Sequence, residues 1–460
     1  MPSSDFISDE IGNGQDSVTL TLGGEKVLYA QGWSVEESVL SQPARWAMSL
    51  GWQDGAVSLF GMARPGTRFV LSINGAPQMT GVTDSRELEM NGSGSVLRVT
   101  GRDALAPLHD GYVAATRSFG TEMTYFQLVQ EALKAVGLDP SELVPNNANN
   151  RKLKAGVQIQ QTDGPEQSDE LTHLPIGATL GSFSVSIQAR AQQTWLEFLR
   201  HLLDRAGLML WAAADGSFVL ATPNPRQTPT YELHRHIQSA NLSSNILGWK
   251  LTDDVTSRHS SAIIYGRGGG RKSGRRKAKG EYVDLEVLNK PTDSPPGYGL
   301  SKPLVLRDEY VQTPLQAAYF AKRKLAEERR NGWRLEYTFA GHTLPIAGSS
   351  TDRAVVTSDT TIDIDDELLG IKGTFYIESV RRTRTPQTQT QIRLMRPNDL
   401  VFGDVSAPKT TGVVAPASTT TEGGATVVTY TPDPFAGAPA GAVGQNANGQ
   451  YTGPDGDIIH

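Results

Sequence analysis

The strongest constraint on the fold is a two-residue period that ends in a tight turn. Phe69, Leu71 and Ile73 alternate with Val70, Ser72 and Asn74, and Asn74-Gly75 follows at once. Strict alternation puts one set of side chains on one face of a strand, and Asn-Gly supplies the positive φ angles of a two-residue hairpin. Asn91-Gly92 repeats the signal before "SVLRVTGRD". From Ser17 to about Arg102 the spacing predicts several short antiparallel strands, a small barrel or sandwich. With 47 glycines and 38% hydrophobic residues, the composition suits many short strands joined by turns.

Two helices of similar design are expected next. "TYFQLVQEALKAVGL" (124–138) and "TWLEFLRHLLDRAGL" (194–208) both begin Thr-aromatic and end Gly-Leu. Phe126, Val129, Leu133 and Val136 form an apolar stripe on the first. Trp195, Phe198, Leu199, Leu202 and Ala206 do so on the second. Thr124 and Thr194 are expected N-caps, and Gly137 and Gly207 suit the left-handed C′ position. "LMLWAAADGSFVLATP" then reads as two strands turning at Asp215-Gly216, and 139–180 reads mostly as loop. A second β region is expected from near Leu247 to near Phe402. It contains a helix at 313–332, with Thr313 as N-cap, Pro314 at N1 and Asn331-Gly332 as the stop. Its closing stretch echoes the first region, ending in Arg396-Pro397-Asn398-Asp399 where the first ends in Arg102-Asp103. An internal β duplication and a chance likeness both fit that echo.

The fold class is therefore α+β, mainly β: two small barrel domains with helix-plus-hairpin modules between them. The expected divisions are a flexible tail at 1–16, a first barrel at 17–110 and a helix-plus-hairpin region at 111–245. A second barrel follows at 246–403, then a Thr/Ala/Gly/Pro-rich extension at 404–460, whose composition predicts flexibility.

One segment stands out chemically. "GRGGGRKSGRRKAKG" (266–280) holds Arg267, Arg271, Lys272, Arg275, Arg276, Lys277 and Lys279 and no acid. The whole chain carries −6, so with +7 in this loop the remainder carries −13 and the basic character is local. A P-loop needs a second glycine where Arg271 stands, and a helix where "YVDLEV" alternates as a strand, so that reading is set aside. Two readings stay open: a solvated excursion between strands, or a loop that meets a polyanion or an acidic surface. No aromatic is interleaved for base stacking.

Other chemistry is sparse. His234-x-His236 projects from one strand face without a third ligand nearby, and reads as solvated surface. His109 beside Asp110, and His201 on the polar side of its helix, read as structural. Asp363, Asp365, Asp366 and Glu367 lack calcium-loop spacing and read as a strand entering a charged turn. There is no Gly-x-Ser-x-Gly, His-Glu-x-x-His or dinucleotide fingerprint, so no enzyme, cofactor or metal is expected. No cysteine is present, no apolar run approaches the roughly 18 residues of a membrane helix, and the polar N-terminus is no signal peptide.

The order of the pieces resembles the central baseplate hub proteins of Mu-like contractile-tailed phages, relatives of late control protein D and of the hub part of type VI secretion spikes. The likeness lies in "PGTRFVLSINGAPQMTGVTD" (65–84) with "LRVTGRDALAPLHDG" (97–111), and in "TWLEFLRHLLDRAGLMLWAAADGSFVLATP" (194–223). It continues in "TSRHSSAIIYGRGG" (256–269) and "IDIDDELLGIKGTFYIESVRRTRTPQTQTQIRLMRPNDL" (362–400). The 266–280 loop is unusually basic for the resemblance, and the Thr/Ala/Gly-rich extension maps to no feature of it. It implies a homotrimeric ring in which two barrels per chain give pseudo-sixfold symmetry. Such a ring adapts the tail tube to the central spike, meets tape measure and baseplate wedge proteins, and leaves a channel for DNA. Its place would be the virion tail baseplate, assembled in the bacterial host cytoplasm, without membrane insertion. A hub-associated cell-wall hydrolase and a nucleic-acid-binding module working through 266–280 are the alternatives.

Overall fold

The computed structural model describes residues 16–27, 30–40, 43–51, 60–91, 94–114, 118–119, 123–145, 187–189, 192–206, 208–221, 223, 225–235, 246–266, 279–308, 311, 314–349, 352–384, 387–400, 418–422, 425–430, 444–445 and 451–452. The first β unit comprises β1 (Val18–Leu22), β2 (Glu25–Lys26), β3 (Ala30–Ser38), β4 (Arg45–Gly51), β5 (Arg68–Ile73), β6 (Ala76–Asn91) and β7 (Gly94–Asp103). They pair in the order β3-β4-β7-β6-β5-β1-β2. The alternation at 69–73 is realised: Phe69, Leu71 and Ile73 are buried, and Asn74 and Gly75 turn at φ 52° and 79°. Trp46 stacks on Phe69 with ring centroids 3.8 Å apart. Trp33, Val35, Met48, Leu50, Leu97 and Val99 complete this core. Burying each such side chain contributes about 1.5–3 kcal/mol.

The helical part follows: α1 (Ala106–Asp110), β8 (Ser118–Phe119), α2 (Tyr125–Ala135), β9 (Leu143–Pro145), β10 (Ile187–Gln188), α3 (Trp195–Ala206), β11 (Met209–Ala212) and β12 (Phe218–Ala221). Both helices start with the reciprocal cap their sequences predict. Thr124 Oγ1 accepts from Gln127 N, and the Gln127 carbonyl oxygen takes the Thr124 N–H. Thr194 and Glu197 repeat the arrangement. Gly137 terminates α2 at φ 80°, whereas Gly207 lies outside the described residues. The buried stripe of α2 is centred one residue earlier than predicted, on Tyr125, Leu128, Val129, Ala132 and Leu133. β11 and β12 form the expected hairpin, and β9 adds to it in parallel.

The second β unit contains β13 (Tyr231–Arg235) and β14 (Ile246–Asp253). A separate sheet with helices follows: β15 (Ser261–Gly266), β16 (Lys279–Val283), α4 (Leu285–Leu288), β17 (Pro303–Asp308) and α5 (Pro314–Gly332). Then come β18 (Trp333–Ala340), the short hairpin β19 (Thr343–Pro345) and β20 (Arg353–Val355), β21 (Thr360–Asp366), β22 (Ile371–Arg384) and β23 (Thr388–Met395). The second unit pairs as β14-β18-β23-β22, with β21 on β22 and β13 parallel to β21. β13, grouped by sequence with the helical region, thus belongs to this sheet. Tyr231, Leu335, Tyr337, Phe339, Ile362, Ile377 and Ile392 form its core. The strand expected at 282–287 ends at Val283. Asp284 Oδ1 caps the Glu286 N–H there, and the chain turns into α4.

α5 packs on β15 and β16 at very short range. A Cβ on Gly280 would lie 2.0 Å from Ala318 N, and one on Gly266 would lie 2.1 Å from Val311 O. A buried ionic cluster pins this layer to the second β unit: Arg258 reaches Glu286 at 2.8 Å, Arg396 reaches Glu286 at 3.2 Å, and Arg329 reaches Asp399 at 3.0 Å. Part of the predicted flexible extension is ordered into strands, β24 (Ser418–Glu422), β25 (Ala425–Tyr430), β26 (Gly444–Gln445) and β27 (Tyr451–Thr452). β25 lies parallel on β16, consistent with the β-branched run Thr426-Val427-Val428-Thr429. Among the described residues no helix is long and apolar enough to cross a membrane. The chain is mainly β with a minority of helix, the class its patterning predicts.

Candidate functional surface

The two β units are one sheet. β22 is long enough to use one edge twice: its first half pairs with β21, and its second half, 379–384, pairs antiparallel with 33–38 of β3. Arg382 is fully buried at this seam. Its Nη2 donates to the Val356 carbonyl and lies 3.4 Å from Gln78 Oε1 and 3.5 Å from Glu37 Oε1. Glu37 Oε1 also accepts from Ser358 N at 3.0 Å. Tyr231 donates to Val355 O at 2.8 Å, and burial pushes its phenol up to about 12. A second clamp crosses between the units nearby. Asp16 accepts from Asn74 Nδ2 at 3.1 Å and from His342 N at 2.7 Å. His342 is buried, its Nδ1 2.8 Å from Thr390 Oγ1, and burial holds its pKa down at about 3, so the ring is neutral. Where both β units meet β11, Glu37, Gln78, Thr80, Asp103, Trp211 and Ser358 line a cavity of about 20 Å³. That is room for about one water, too little for a substrate.

The pairing registers reveal a repeat. The ladder β3-β4-β7-β6-β5 recurs as β14-β18-β23-β22-β21. Its irregularities recur too: the register shifts between Ala30 and Gly32 on β3 and between Ile246 and Gly248 on β14. It also shifts between Thr83 and Ser85 on β6 and between Ile377 and Ser379 on β22. These shifts place Trp33 on Trp249 and Val35 on Leu251. The signal was present in the sequence as "QGWSVEE" (31–37) and "LGWKLTD" (247–253), which the turn-based comparison of the two regions missed. The sixth strands differ, since β1 is antiparallel to β5 whereas β13 is parallel to β21. The equivalent tryptophans have unequal surroundings. Trp33 is 5% exposed beside β22, whereas Trp249 is 43% exposed on an edge with no partner strand among the described residues.

Opposite the cores, the joined sheet presents a polar face. One row runs Gln389, Thr383, Ser34, Ala47, Thr100, Ser85 across six strands. The neighbouring row sets Glu36 between Arg381 and Arg45. Arg102, next in that row, is neutralised by Asp84 at 2.6 Å and Asp110 at 2.6 Å, and its hydrogen bonds hold Asp110 down at about 2. Glu336 pairs with Arg393 in register, and Arg393 also reaches Glu378 at 3.2 Å. Each arginine named on these rows has an acid opposite or beside it.

The residues singled out by sequence scatter. Arg267, Arg271, Lys272, Arg275, Arg276 and Lys277 lie outside the described residues. Lys279 opens β16, half-buried opposite Tyr265, so the loop leaves and returns at a base held by Gly280 against α5 and by Gly266 against Val311. His234 Nε2 is 3.6 Å from Glu232, and His236 lies outside the described residues. His109 Nδ1 joins the Arg102–Asp110 network at 3.1 Å from Asp110. Of the acidic cluster, Asp366 is occupied by Arg235, the Tyr337 hydroxyl and the N–H groups of Leu368 and Leu369, and Asp365 by Lys372. It is a turn cap, as its sequence suggested.

No protein-family model matches the chain, and no curated protein sequence matches it. Solved structures do. A tail protein from Neisseria meningitidis MC58 aligns over 84% of this chain and 99% of its own, with a TM-score of 0.61 and 19% identity. The 43 kDa tail protein of prophage MuSo2 from Shewanella oneidensis aligns over 83% of this chain and 99% of its own, with a TM-score of 0.58 and 19% identity. At that identity the shared property is the fold, and it spans nearly the whole of both relatives.

Proposed function

We propose that this chain is a structural protein of a phage-type contractile tail, the baseplate hub that joins tube to spike. The observation that carries the reading is the repeated five-strand ladder welded into one sheet at the β3–β22 seam. Three copies arranged head to tail would carry six near-equivalent ladders. Such a ring presents sixfold features to a tube and, through what differs between the two units, threefold features to a spike. The self-neutralised polar face suits the wall of a channel, because a polyanion passing it meets few unanswered cations that would hold it. The tail-protein fold of the two relatives supports the same reading. The role we assign is mechanical, in keeping with the tail-protein fold of the two relatives. Tape measure, tube and spike proteins are the partners this position implies, in the virion baseplate.

The test is the solution mass of the full chain by light scattering over a concentration series, with class averages of the same sample by electron microscopy. Particles of three chains with a central opening are expected. Particles of twofold symmetry at every concentration would overturn the hub reading.

A further inference from the structure

The seam inside one chain is a template for a seam between chains. β6 and β22 are equivalent strands, and each pairs its first half with the preceding strand, β5 or β21. The second half of β22 is covered by β3 on that edge. The second half of β6, residues 85–91, has no strand there among the described residues. β3 is the equivalent of β14, whose outer edge is likewise without a strand among the described residues. The chain therefore displays both halves of a junction it completes only once, with six strands lying between them.

We propose that β14 of one copy pairs antiparallel with residues 85–91 of β6 in a neighbouring copy, in the register that β3 and β22 use within the chain. This rests on the proposed ring and names the surface that closes it. The register follows by substitution. Arg384 opposite Trp33 becomes Met90 opposite Trp249, Arg382 opposite Val35 becomes Leu88 opposite Leu251, and Thr383 opposite Ser34 becomes Glu89 opposite Lys250. Val380 opposite Glu37 becomes Arg86 opposite Asp253. Nothing in the derivation selected for chemistry, yet these four of the six pairs are complementary; the other two, Glu87 opposite Thr252 and Ser85 opposite Asp254, are merely polar. Met90 and Leu88 are 73% and 39% exposed, and Trp249 and Leu251 are 43% and 40% exposed. These exposed apolar side chains meet one another, and both charged pairs join opposite signs. Long apolar edges left bare invite strand addition, and opposite charges directly across a ladder favour it.

The chain has no cysteine, so a disulfide scan is clean. The double variant Leu88→Cys/Leu251→Cys of the full chain is oxidised and run without reductant. Side chains directly opposite on an antiparallel pair are within disulfide reach. The expected result is intermolecular cross-linking that accumulates as covalent trimer. Leu88→Cys/Lys250→Cys, one residue out of register and on opposite faces, should cross-link at least tenfold less. Glu89→Lys alone should weaken association about fivefold per junction, and Glu89→Lys/Lys250→Glu should restore it. Threefold particles without the 88–251 disulfide would overturn this junction and leave the hub reading intact. A chain that stays monomeric and uncross-linked would overturn both.

Discussion

Burying a neutral imidazole makes the joined sheet acid-sensitive in a calculable way. His342 sits beside Trp33 with its Nδ1 on Thr390, and burial holds its pKa at about 3, against 6.5 for a free histidine. In the folded chain the ring stays neutral, while the unfolded chain takes up a proton below its ordinary pKa. The stability this residue contributes is therefore fully present above about pH 6.5 and is lost as pH falls from there towards 3. At pH 5 the unfolded state gains about 1.5 pKa units of protonation free energy, on the order of 2 kcal/mol. Urea unfolding followed by circular dichroism at pH 7.5 and 5.0 measures it, comparing the natural chain with His342→Gln. The glutamine keeps a polar partner for Thr390 but does not titrate. Carboxylates common to both proteins cancel in the difference of differences, which should be about 2 kcal/mol, with the natural chain the more acid-sensitive. Equal pH slopes for the two proteins would refute the claim that His342 is buried and neutral.

Two further outcomes are expected. Arg382→Ala leaves Glu37 buried at the seam and should cost about 3–5 kcal/mol, whereas Arg382→Met/Glu37→Gln, which removes both charges, should recover most of it; thermal melts of the single and double variants decide. If the basic loop contacts nucleic acid, binding weakens steeply with salt, and replacing Arg275, Arg276 and Lys277 by Ala should reduce the log–log salt slope by about 3; an unchanged slope assigns the loop to a protein partner or to solvent.

Much of the local structure was legible in the chain. The hairpin at Asn74-Gly75, the caps at Thr124 and Thr194 and the long helix starting at Pro314 all appear where spacing and turn chemistry put them. These features depend on residues a few positions apart, so the sequence carries their whole cause. The segment 284–288 was misread because alternation also fits a short capped helix, and Asp284 decides between them by accepting the Glu286 N–H. The parallel pairing of β13 with β21 was invisible, because nothing local announces a partner more than a hundred residues away.

The surface of interest divides in the same way. "QGWSVEE" and "LGWKLTD" specify the same object, a strand with a bulge before its tryptophan, and the sequence alone determines that much. Only the tertiary structure decides that Trp33 is covered while Trp249 is left 43% exposed, because burial is conferred by whichever strand occupies the edge, and among the described residues none occupies that of β14. For the first tryptophan that strand is β22 of the same chain. Arg382 shows the converse: an arginine amid "SVRRTRT" reads as solvated, and is buried because β3 closes over it with Glu37 in place to receive it.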